Sequence, residues 1–294
     1  FWYVCTNQPN SMRLFFLLFG VALHATTALF ANDSLQFRRM ADVVLTEGKA
    51  YENLRYLCKE VGHRLSGSPG AAKAVKATFD MMKAMGADTV YLQEVMVPHW
   101  VRGEKEVARL VGKGKQPVTL NVCALGNSVG TGKNGLQAPV VEVRSFAELD
   151  SLGRKGVEGR IVFFNVPMNP TYIETFRAYG EAGQYRSRGP ALAAKYGAVG
   201  VMVRSLASNI DDFPHTGATN YNDSFPKIPA IAVSTRHAEL VSRLLRQQPG
   251  WELYFRTTCE MLPDVLSHNV IGEIRGSDFP DEIITVGGHL DSWD

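Results

Sequence analysis

Three consecutive stretches, GRIVFFNV (159–166), YRSRGPALAAKYGA (185–198) and VGVMVRS (199–205), decide the reading of the fold. The first and third are short apolar runs of strand length, and the middle one reads as a helix. The order repeats in IPAIAVS (228–234), TRHAELVSRLLRQQ (235–248) and WELYFRT (251–257). Strands alternating with helices predict an α/β module of roughly 140 residues.

The flanks have a different character. Residues 34–86 carry apolar side chains three and four apart, among them Tyr51, Leu54, Leu57, Val61, Val75, Phe79 and Met82, with glycines at 48, 62 and 86 where helices end. Ser68-Pro69 fits an N-cap followed by Pro at the first helical position. The stretch 87–112 alternates apolar and polar residues and reads as strands broken at Pro98. From about Pro117 short β runs follow with Gly-rich turns: VTLNVCAL (118–125), GNSVGTGKNG (126–135) and APVVEV (138–143). After Pro263 the chain returns to strands, HNVIGEIRG (268–276) and EIITVGGHLD (282–291). The module therefore reads as an insertion at 118–262, between a first part at 29–117 and a returning part at 263–294.

The 294 residues suffice for one large or two medium domains. Hydrophobic content of 45%, charged content of 20% and a net charge of +2 are ordinary for a globular chain and argue against a nucleic-acid partner. Met12-Arg13 followed by LFFLLFGVAL (14–23) and HATTA (24–28) has the pattern of a secretory signal peptide, with residues 1–11 as an upstream extension. The expected location is exported, whether secreted, periplasmic or in a secretory or lysosomal lumen, with no membrane anchor after signal removal. Cys5 precedes that signal, and Cys58, Cys123 and Cys259 allow one bridge at most. Asn32 and Asn222 head N-glycosylation sequons.

Three motifs bear on chemistry. Gly126-Asn127-Ser128-Val129-Gly130 matches a nucleophile elbow, which needs a helix directly after the serine, but turn residues follow Ser128. Gly130, Gly132 and Gly135 match a dinucleotide fingerprint, yet the next residues read as a strand where that motif opens a helix. The third is His289-Leu290-Asp291. Residues i and i+2 of a strand share a side, so an imidazole and a carboxylate can occupy one site, and a carboxylate can hold the ring N–H that a metal leaves free.

The stretches GHRLSGSPGAAKAV (62–75), VPHWVRGE (97–104), GRIVFFN (159–165), AAKYGAVGVMVRSLAS (193–208), PHTGATNY (214–221), IPAIAVS (228–234) and VGGHLDSWD (286–294) together resemble the M28 zinc peptidases, in their carboxypeptidase Q branch. The resemblance implies an α/β fold in which the N-terminal part of a zinc-peptidase domain carries an inserted protease-associated module. It implies two zinc ions per active site, which polarise a scissile carbonyl and activate a water. His289 matches the family's first zinc-ligand histidine and Asp291 the site-orienting aspartate two residues on. The family's bridging aspartate, about a dozen residues further, and its later ligands have no counterpart before Asp294, so this chain is expected to be an incomplete and inactive fragment.

The expected function is that of a zinc-dependent exopeptidase acting on dipeptides or short peptides, the resemblance leaving a homodimer open. A non-catalytic protease-associated binding module is the alternative, and a serine hydrolase built on Ser128 a lesser one. A further expectation is that the strand ending at 294 leaves unpaired edges and apolar faces exposed.

Overall fold

The computed structural model describes residues 33–294, so the expected signal segment, Cys5 and Asn32 lie outside the described residues. The chain divides into two compact units, Phe1–Glu60 and Val61–Asp294. In the first, helix α1 covers 33–47 and α2 Ala50–Tyr56, the latter burying no side chain. One π turn, Leu57–Val61, continues from α2.

The second unit starts with α3 (Pro69–Ala84), whose first turn is closed as the sequence predicts: Ser68 Oγ accepts the Ala71 N–H at 3.1 Å and Pro69 opens the helix. Strand β1 (Thr89–Val101) pairs antiparallel with β10 (Glu260–Glu273), and α3 packs on this ribbon. The expected break at Pro98 does not occur. The register shifts instead between Val97, opposite Val265, and His99, opposite Leu262, so that Pro98 lies across from the two residues Pro263 and Asp264. A bulge of this kind absorbs a proline that has no N–H to give the ladder.

Between β1 and β10 the chain builds an eight-stranded sheet. Its strands are β2 (Val107–Gly112), β3 (Val118–Leu120), β4 (Val122–Ala124), β5 (Leu136–Val143), β6 (Ile161–Phe164), β7 (Gly200–Arg204), β8 (Ala230–Val233) and β9 (Trp251–Arg256), in the spatial order β3-β2-β9-β5-β6-β7-β8-β4. Strands β5 to β8 run parallel, with antiparallel strands on either side. The mixed α/β class is as the sequence predicts. The sheet spans 107–256, and it begins at Val107 because β2 pairs along its whole length with β9, far away in the chain.

Why the central strands are apolar without alternation follows from their two covered faces. Ile161 and Phe163 pack with Met202, Ile231, Phe255 and with Ala238 and Val241 of α7 (Thr235–Gln247). Val162 and Phe164 point the other way. They meet Val201, Val203, Leu149 and Val157 of α4 (Phe146–Val157), and Ala193 and Ala194 of α6 (Gly189–Lys195). Helix α5 (Thr175–Ser187) precedes α6 in the β6–β7 crossover. A polar seam lies between the sheet and α7. Ser242 donates to Glu142 at 2.7 Å, Asn165 donates to Glu142 at 2.8 Å, and the buried Arg204 guanidinium donates to Asn165 and pairs with the exposed Glu239.

One expected strand is not formed. Residues 282–288 join no ladder among the described residues, and Ile283, Ile284 and Val286 are 87%, 91% and 91% exposed. An apolar run becomes a strand only where a neighbour takes up its backbone groups. No described strand lies alongside this one.

Candidate functional site

His289 and Asp291 come together. His289 Nδ1 lies 2.9 Å from Asp291 Oδ1, and the imidazole is otherwise almost fully exposed, its side chain 94% accessible against 48% for Asp291. With the carboxylate accepting at Nδ1, the neutral ring carries its proton there and leaves the Nε2 lone pair outward. This is the arrangement of a metal-ligating histidine oriented by a carboxylate. The contact forms without the strand that the sequence predicts.

The residues that follow are firmly held. Arg64, itself 9% exposed, donates from Nε to the Leu290 carbonyl at 2.8 Å and accepts the Ser292 N–H on its own carbonyl at 3.0 Å. The Trp293 ring lies against Gly126, where an added Cβ would fall 2.2 Å from a ring carbon, so only glycine admits the indole there. Arg102 grips the Asp294 carboxylate with Nε, 2.8 Å from both oxygens, and with Nη2 at 2.6 Å from Oδ1. Its Nη1 donates to Glu106 at 2.8 Å and to the Ala124 carbonyl at 3.0 Å.

Electrostatics agrees with this geometry. Burial works against the charge on Arg102, but its hydrogen bonds to Asp294 and Glu106 outweigh it and the guanidinium stays firmly protonated. For Asp294 burial opposes ionisation, and the hydrogen bond from Arg102 still brings its carboxyl below the ordinary value of 3.8. Nearby, burial pushes the Cys123 thiol up to about 12. None of Arg64, Arg102 or Glu106 stands out in the sequence as a site residue, and Gly126 figures there only in the elbow motif. The run VPHWVRGE holds Arg102 and ends at Glu104, but its local pattern gives no hint of a partner 192 residues away.

The two weaker motifs resolve into structure. Ser128 is 1% exposed, donates from Oγ to the Val129 carbonyl at 2.9 Å and accepts the Ala230 N–H at 2.9 Å. Turns and β5 follow it instead of a helix, so the geometry of a nucleophile elbow is missing and the serine-hydrolase alternative falls. Gly132 and Gly135, at φ +77° and +74°, shape the loop that enters β5, which leaves no helix N-terminus for a pyrophosphate. Among the described residues Cys58, Cys123 and Cys259 are free thiols.

The donor set fits one corner of a zinc site. Among the described residues no group of three His, Cys, Asp or Glu side chains is gathered around a common point, and about four ligands are usual for zinc. These residues by themselves therefore do not make a complete metal centre. No helix of the described residues is long and apolar enough to cross a membrane.

No protein-family model matches the chain. It is 33% identical to mouse carboxypeptidase Q over 305 aligned residues, covering 96% of this chain and 62% of the mouse protein. A crystal structure of an M28 peptidase precursor from Shewanella amazonensis superposes with a TM-score of 0.82 at 32% identity, over 87% of this chain and 57% of that one. A zinc aminopeptidase from Bacillus subtilis shares the fold at a TM-score of 0.50 and 16% identity, over 78% of this chain and 47% of that one. The chain thus spans between half and two-thirds of the length of the curated relatives it matches.

Proposed function

Since the chain belongs to the carboxypeptidase Q-like branch of the M28 peptidases, we propose that the full-length protein is a zinc-dependent exopeptidase hydrolysing dipeptides or short peptides. In this reading His289 is a ligand of a two-zinc site, and Asp291 fixes its tautomer and ring plane. The carrying observation is the 2.9 Å contact between His289 Nδ1 and Asp291 Oδ1, which turns Nε2 outward on an exposed ring. Bound zinc would supply Lewis acidity to the scissile carbonyl and lower the pKa of the attacking water. The chain's own part here is narrower: Asp291 holds the ring proton at Nδ1, which fixes the tautomer and turns Nε2 outward.

The eight-stranded sheet between β1 and β10 is read as a protease-associated module that shapes access to the site; its insertion between two paired strands supports this. Export, read from residues 12–28, and a homodimeric assembly belong to the same proposal. So does the inactivity of residues 1–294 alone, which the one-corner donor set supports.

The test is metal content and dipeptide hydrolysis of the full-length protein. Chelation is expected to abolish hydrolysis and zinc to restore it. His289→Ala should lower bound zinc, and Asp291→Asn should reduce metal affinity or activity by about 10–100-fold. Ser128→Ala should keep chelator-sensitive activity. Full activity in His289→Ala would sink the assignment.

A further inference from the structure

Residues 290–294 are anchored at three points, whereas 282–289 stand outside any ladder. The orientation of His289 and Asp291 is therefore set from the downstream side. Arg64 holds the backbone at Leu290 and Ser292, Gly126 receives Trp293, and Arg102 holds Asp294. The Arg102 guanidinium has a second grip. Nη1 reaches Glu106, which precedes β2, and the Ala124 carbonyl at the end of β4, while Glu106 also accepts the Ala124 N–H at 2.7 Å. The side chains of Arg102, Asp294 and Glu106 are 15%, 16% and 7% exposed. A largely buried planar fork with both partners satisfied has few alternative geometries.

We propose that Arg102 and Arg64 are positioning residues that fix the His289–Asp291 pair. We further infer that the Arg102–Glu106–Ala124 contacts make the pair's orientation follow the junction where the residue before β2 meets the end of β4, strands from opposite ends of the sheet order. A displacement at that junction would then reach the metal-binding segment through one guanidinium. The functional weight of this inference rests on reading His289 as a zinc ligand; the clamp itself does not.

The experiment uses the full-length protein with Arg102→Gln, Arg102→Lys, Asp294→Asn and Gly126→Ala, and reads hydrogen exchange at the Ser292 amide together with zinc affinity. Arg102→Gln, Asp294→Asn and Gly126→Ala are each expected to speed Ser292 exchange by about tenfold or more while β6 and β7 amides keep their protection. They should also weaken zinc binding by about 10–100-fold. Arg102→Lys keeps the charge but loses the fork, so its Ser292 exchange should stay fast. Gly126→Ala changes no charge and displaces only Trp293, which preserves the test should Arg102→Gln fail to fold. Unaltered Ser292 exchange in Gly126→Ala and Asp294→Asn would overturn the proposal. Should His289→Ala leave zinc content intact while Ser292 exchange responds as expected, the ligand assignment fails and the clamp stands.

Discussion

Individual side chains in this protein take their chemistry from burial more than from sequence neighbours. Cys123, half-buried, has its thiol pushed up to about 12 chiefly by desolvation, and Cys259, 4% exposed, is raised for the same reason. A thiol must ionise to act as a nucleophile. Of the three described cysteines, exposed Cys58 should therefore alkylate with iodoacetamide in the native state at neutral pH, and the other two only after denaturant is added; peptide mapping by mass spectrometry reads this directly. His237 gives a pH dependence. Its Nδ1 accepts the Asn121 N–H at 3.0 Å, which only the neutral ring can do. Burial lowers its pKa from 6.5, with Asp212 opposing and Arg236 assisting. A His with a lowered folded pKa contributes stability that is complete above its unfolded value and is lost as pH falls through the folded one. The urea midpoint should accordingly drop as pH is taken below 6.5, and His237→Asn should remove that part of the slope.

At the level of the element, the Ser68-Pro69 helix start is legible in the sequence, whereas strand pairing is not. Ser68-Pro69 opens α3 as the sequence predicts. Ser234, fully buried, caps α7 by accepting the His237 N–H at 3.3 Å, and its own N–H reaches the Asn121 carbonyl. Ser234→Ala should cost about 1 kcal/mol, with a comparable shift in chemical denaturation, since it strips one partner from a helix end that is closed to water. The Pro98 break failed because local reading counts a missing donor as a stop. The partner strand supplied two residues opposite it and let the ribbon run on. The apolar run 282–288 shows the converse. It has strand composition and no strand, because composition cannot provide the neighbour that would take up its hydrogen bonds.

Across the whole molecule, stability is concentrated in the eight-stranded sheet. Phe163 and Phe164 are both fully buried, on opposite faces, with α7 over one and α4 and α6 over the other. Phe163→Ala should cost about 3–5 kcal/mol, a loss large enough to be seen as a lowered cooperative transition. Equilibrium denaturation followed by near-ultraviolet circular dichroism checks it. The same replacement at exposed Phe176 or Phe213 should change little. The sheet lies between the paired strands β1 and β10, so the segments 89–101 and 260–273 must find each other across it. Contacts of such sequence separation form late and slowly.

What the sequence determined by itself was the local and the repetitive: the strand–helix alternation, the Ser68-Pro69 helix start, the α/β class and the His-x-Asp pair whose spacing permits contact. These are legible because each depends on residues a few positions apart, where periodicity and rotamer geometry act. Only the tertiary structure decided that β2 joins the sheet at Val107, that Ser128 is a buried hydrogen-bonding residue, and that Asp294 is gripped by Arg102. Each of these joins residues on the order of a hundred positions or more apart, and the free energy that selects such contacts comes from shared burial and desolvation, which no local stretch of chain encodes.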